Sequence, residues 1–120
     1  MFIRHNENRD GRNVGDCTVR ALSTALNQTW EKTYWGLCVE GAAQADMPSS
    51  NRVWGAYLKK RGFRRRSPPD DVTVGEFARR HPAGVYLLAL NGHVVAVVDG
   101  EIIDTWDSSG QTVLYFWSRK

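Results

Sequence analysis

The last third of the chain constrains the fold most. "GVYLLAL", "HVVAVV", "EIIDTW" and "TVLYFW" are short runs rich in β-branched and aromatic residues. Asn91–Gly92 divides the first two, Asp99–Gly100 the second and third, and "DSSGQ" the last. Asn–Gly and Asp–Gly between apolar runs are strong hairpin signals, because these residues tolerate the positive φ that a two-residue turn demands. The runs predict an antiparallel meander of about four strands. The residues before them follow the helical period instead. Cys17, Ala21, Leu22, Ala25 and Leu26 share one face of a helix over 17–27, with Arg20, Ser23, Thr24 and Asn27 on the other and Asp16 as its cap. Trp30, Tyr34, Leu37 and Cys38 mark a second helix over about 30–44, which "DMPSSN" breaks. A third runs from about 51 to 61 and ends at Gly62, and a capping box of Thr73 and Glu76 opens a short fourth that stops at Pro82. Residues 1–13 are expected to be an extended lead-in, and "RRRSPPDD" a loop. Helices first and strands afterwards predict a single α+β domain over 1–120, its N-terminal helices packed on a C-terminal antiparallel sheet.

Bulk properties narrow the function classes. With 120 residues, 42% hydrophobic and 24% charged, the chain suits one soluble globular domain. The longest apolar run, near 85–90, is far too short to span a membrane, and the polar N-terminus has no apolar signal core. No membrane partner and a cytoplasmic location are expected. Cys17 and Cys38 form no C-x-x-C pair, so neither a zinc site nor a disulfide framework is expected, and no cofactor. The net charge of +3 permits acidic partners without requiring them.

"VGDCTVRAL", residues 14–22, places Cys17 at a helix start. A two-residue Asp99–Gly100 loop pairs Val98 with Glu101. Continued, that register sets Val95 opposite Asp104 and His93 opposite Trp106. Side chains alternate between faces, so His93, Val95 and Val97 share one with Ile102, Asp104 and Trp106, and Asp104 is the diagonal neighbour of His93. This face is largely apolar, so the helix carrying Cys17 is expected to cover it. A thiol at a helix N-terminus, a histidine and an orienting carboxylate are the parts of an activated cysteine nucleophile. The helix dipole and an imidazolium lower the thiol pKa, Asp104 orients His93, and the Cys17 backbone N–H can donate to an oxyanion. Trp106 can shield the histidine–carboxylate pair or belong to the core. Asp107 is read as a turn former ahead of "SSG", with a third-member role as the alternative to Asp104. Cys38 is read as packing, and His5 and His81 have no assigned role.

"GDC" before an apolar helix, with "GHVVAVVDGEIIDTWDSS" late in the chain, resembles papain-like cysteine peptidases. It is most similar to the compact peptidase C39-like branch and to small phage and bacterial proteins with a GDC-x-VRAL start. The resemblance covers nearly the whole chain in order. It implies a papain-like fold and a cysteine hydrolase (peptidase, isopeptidase or amidase) acting on a peptide or protein through a thioester. By position, Cys17 matches the nucleophile, His93 the base and Asp104 the orienting residue. The family usually places a glutamine six residues before the cysteine to complete the oxyanion hole; here that position is Gly11, and Asn13 or the Asp16 region is the candidate substitute beside the Cys17 N–H. "KKRGFRRR", residues 59–66, carries the alternative. Lys59, Lys60, Arg61, Arg64, Arg65 and Arg66 form a basic patch around Phe63. A catalytically weak fold would use it as a binding module, a phage- or host-directed inhibitor, against a protein or, less expected, nucleic acid.

Overall fold

A computed structural model describes residues 1–119. In chain order the elements are β1 (Phe2–Arg4), α1 (Cys17–Leu26), α2 (Trp30–Gln44), α3 (Asn51–Lys59), β2 (Arg64–Arg66), α4 (Val74–Arg80), β3 (Val85–Leu90), β4 (His93–Val98), β5 (Glu101–Asp104) and β6 (Tyr115–Ser118). The class is α+β, with the predicted helices present within a few residues of their expected ends. The sheet departs from expectation. It has six strands in the order β1-β5-β4-β3-β6-β2 and is mixed, since β1 runs parallel to β5. The expected four-stranded meander holds only for β3, β4 and β5. β6 passes to the far side and pairs with β3, because β1 occupies the outer edge of β5. The expected lead-in and loop each supply one three-residue strand.

The Asp99–Gly100 turn sets the β4–β5 register as predicted. Asp99 and Gly100 both have positive φ (49° and 78°), and Val98 pairs with Glu101, Val97 with Ile102 and Ala96 with Ile103. This two-residue turn suits the twist of the strands it joins.

Both sheet faces are apolar, and each has its own core. Leu22, Leu37, Trp54 and Leu58 of α1, α2 and α3 pack on Leu87, Ala89, Val94 and Ala96. Val74, Phe77 and Ala78 of α4 pack on Leu88, Val95, Val97 and Ile102. The helix bearing Cys17 therefore covers the Val94/Ala96 face, not the Val95/Val97 face expected for it. Alternate residues of β4 are apolar on both sides, so strand parity could not choose between them.

The capping box forms as expected. The Thr73 hydroxyl accepts from the Glu76 N–H at 3.2 Å, and the Glu76 carboxylate accepts from the Thr73 N–H at 2.9 Å. Thr73→Ala should cost about 1 kcal/mol, read as a lower urea midpoint at unchanged slope.

Candidate active site

Three elements meet at one end of the sheet. Cys17 opens α1, His93 opens β4 and Asp104 closes β5. Strand parity turns His93 and Asp104 to one face, and α1 brings Cys17 to the same end from the other. His93 Nε2 lies 2.5 Å from Asp104 Oδ2. Cys17 and His93 line one cavity, close enough that each shifts the other's pKa, and Nδ1 is the ring nitrogen that Asp104 leaves free. The structure thus brings together the three residues picked out in the sequence. Trp106 is 41% exposed, and its ring lies on His93 at 4.8 Å between centroids, capping the imidazole from solvent. Asp107 is exposed and holds Ser109 in a turn, away from His93.

Asp16 precedes α1, but its side chain does not cap it. Charged and aromatic donors compete for the carboxylate instead. Arg20 Nε donates to Oδ1 at 2.7 Å, and Asn8 Nδ2 and Trp30 Nε1 each donate to Oδ2 at 2.9 Å. Arg20 then reaches across the site. Its other nitrogen donates to Asp104 Oδ1 at 2.9 Å, and the Thr105 N–H donates to the same oxygen at 2.7 Å. Asp16 and Asp104 are both buried. One guanidinium therefore joins the start of the helix that bears Cys17 to the carboxylate bonded to His93. The sequence assigns no site role to Arg20 or Trp30; Asp16, expected to cap the helix or substitute in the oxyanion hole, instead has its carboxylate taken up by Arg20, Asn8 and Trp30. The spacing of Asp16 and Arg20 is an opposite-charge i,i+4 signal, but nothing local reveals that Arg20 extends to Asp104.

The charges follow from this geometry. Burial alone would lower the His93 pKa, yet its bonds to Asp104 and to Cys17 raise it to about 9. Burial would push the Cys17 thiol up. The His93 bond and the Val94 backbone N–H outweigh it and hold the thiol below its ordinary value. Burial likewise opposes ionisation of Asp104, and His93, the Thr105 N–H and Arg20 overcome it. Moving the proton from Cys17 to His93 leaves the net charge of the site unchanged, so the thiolate–imidazolium form needs no counterion from solvent. The linkage signs are opposite. His93 contributes stability that is complete below its ordinary pKa and is lost as pH rises through about 9. Asp104 contributes stability present above the ordinary carboxylate value and lost as pH falls through its lowered one.

A cavity of about 300 Å³ opens beside the thiol, lined by Gly15, Cys17, Asn51, His93, Leu114 and Tyr115 among others. Asn13 is exposed and does not line it, and Gly11 sits in an exposed turn at φ 69°. The backbone N–H of Cys17, at the first helical position, precedes any intrahelical carbonyl partner. The basic run is divided by strand parity. Arg65 pairs with Trp117 on the helix-covered face of α1–α3, while Arg64 and Arg66 point to the other. Lys60 is tied to Glu40 at 2.7 Å and Arg61 stacks on Tyr57. Among the described residues, no three His, Cys, Asp or Glu side chains gather as a metal site requires, and no helix is long and apolar enough to cross a membrane. No family model, no curated protein and no solved structure matches this chain.

Proposed function

We propose that this protein is a small papain-like cysteine hydrolase that cleaves an amide bond through a thioester on Cys17. The observation that carries the reading is the gathering of Cys17, His93 and Asp104, with Cys17 and His93 on one cavity, His93 bonded to Asp104, the thiol pKa lowered and the imidazole pKa raised. The Cys17 thiolate attacks the amide carbonyl, and the developing oxyanion takes a hydrogen bond from the Cys17 N–H. The C–N bond breaks as protonated His93 gives its proton to the departing amine, leaving a thioester and neutral imidazole. Neutral His93 then takes a proton from water, whose oxygen attacks the thioester. The acid product leaves and the thiolate–imidazolium pair returns. Asp104 holds the ring through Nε2 and stabilises its cation throughout.

The test is turnover of a peptidyl-aminomethylcoumarin library, with acid quenching and intact mass to trap the acyl-enzyme. Wild type should release fluorophore and carry the acyl group on Cys17. Cys17→Ala should lose at least about 10³-fold in rate. Equal release by Cys17→Ala would assign the chemistry elsewhere.

A further inference from the structure

The cavity at Cys17 does not end at the thiol. Asn51 and Tyr115 line it, and the same two residues line a second groove of about 470 Å³ between α3 and the β6–β2 edge. Gly55, Ala56 and Trp117 contribute the floor of that groove. Its charged residues are Arg52, Lys59 and Arg65, and among the described residues no carboxylate lines it. A Cβ at Gly55 would lie 2.9 Å from the Trp117 ring, so this glycine lets α3 approach the sheet. The Arg65 guanidinium lies over the Tyr115 ring at 3.9 Å, which orders it while its N–H donors remain suited to a carboxylate. Arg52, itself exposed, donates to Gln44 at 3.0 Å and lies 3.8 Å from half-buried Asp46, a long and therefore weakly bound pair.

The sheet gives the groove a scale. Val94, which lines the cavity at Cys17, pairs with Ala89, and Ala89 pairs with Tyr115. From the thiol to Arg65 is thus two to three strand spacings of about 4.8 Å, which an extended peptide covers with about three to four residues. A nucleic acid fits less well. Trp54 stacks on Tyr115 and Arg65 covers its ring, while Trp117 packs beside Gly55, so neither aromatic is open to a base.

We infer that the protein selects acidic polypeptides, with carboxylates about three to four residues from the bond that meets Cys17 seated on Arg65, Lys59 and Arg52. This rests on the hydrolase reading of Cys17 and adds the substrate class.

The experiment is fluorescence anisotropy with Cys17→Ala protein, which binds without chemistry. The probes are labelled peptides with a triglutamate block followed or preceded by alanines, covering both chain directions, their triglutamine counterparts, and an oligothymidylate. One triglutamate peptide should bind about tenfold tighter than its glutamine counterpart, weaken with salt, and lose that preference in Arg65→Gln and Lys59→Gln. Arg79→Gln, on the opposite side of the sheet, should bind within about twofold. In wild type, the same peptide should slow alkylation of Cys17. Equal binding of glutamate and glutamine peptides overturns the inference, as does Arg65-dependent binding of the oligothymidylate alone. If the binding pattern holds while Cys17 proves unable to turn over amides, the groove assignment stands and the hydrolase reading falls. Turnover without any preference for acidic peptides does the reverse.

Discussion

In wild-type protein, Cys17 should alkylate with iodoacetamide along a pH curve whose midpoint lies below the ordinary thiol value of about 8.5, and His93→Ala should move that midpoint to this value or above. The direction follows from what remains. Removing the imidazole deletes its hydrogen bond and its positive charge but leaves the thiol buried, and burial is the influence that raises a thiol pKa. Each unit of upward movement lowers the reactive fraction about tenfold at pH values below both midpoints. Peptide mass spectrometry follows Cys17 and Cys38 in one digest, so Cys38 reports any general loosening of the fold. A midpoint unmoved by His93→Ala would show that the imidazole does not set the thiol charge. The two pH profiles should also diverge on the alkaline side. Alkylation needs only thiolate and keeps its plateau. Amide hydrolysis needs imidazolium to protonate the leaving amine, and it should fall as pH passes about 9, where His93 loses its proton.

Arg20→Met should destabilise the fold by about 3 kcal/mol at pH 7, because it leaves buried Asp16 with only neutral donors and takes from buried Asp104 one of its two cationic partners, the other being His93. Urea unfolding measures the loss. Asp16 and Asp104 both have lowered pKa values in the folded protein. The stability they contribute is present above the ordinary carboxylate value and disappears as pH falls through the lowered one. The gap between wild type and Arg20→Met should therefore narrow below about pH 4, as the two carboxylates take up protons. Arg20→Lys keeps the charge but cannot reach both acids with a planar fork, so it should recover only part of the loss. A deficit below about 1 kcal/mol, or one that does not change with pH, would remove Arg20 from the electrostatics of the site. As a positioning residue, Arg20 should also affect chemistry. With Asp104 Oδ1 held by the Thr105 N–H alone, the Cys17 alkylation midpoint in Arg20→Lys should rise part of the way towards that of His93→Ala.

Much of this site could be read from local pattern. A helix that starts at Cys17 follows from apolar spacing, and the placement of His93 near Asp104 follows from one turn. Asp99 and Gly100 can both adopt positive φ, that turn fixes Val98 against Glu101, and alternation carries the consequence outward to Asp104. These are short-range rules, and a single sequence contains everything they need. The same rules fail where a choice depends on residues far apart in the chain. Phe2–Arg4 and Arg64–Arg66 are too short to announce themselves as strands, and each becomes one only because an edge, β5 or β6, offers backbone partners. Parity could say that Val95 and Val97 face away from Val94 and Ala96, but both sets are apolar, so only packing assigned α1 to one side and α4 to the other.

The electrostatic frame divides in the same way. The sequence by itself determined the α+β class, the helix that opens with the thiol and the hairpin that sets His93 beside a carboxylate, since each rests on backbone periodicity or turn chemistry within a few residues. Only the tertiary structure decided that Asp16 would leave the helix uncapped to hold Arg20, that Arg20 would reach Asp104, and that the basic run would split so that Arg65 and Lys59 join Arg52 in a groove that shares Asn51 and Tyr115 with the Cys17 cavity. A buried charge takes whichever partners the assembled fold brings within hydrogen-bonding distance, and that distance is set by the packing of both sheet faces rather than by position along the chain.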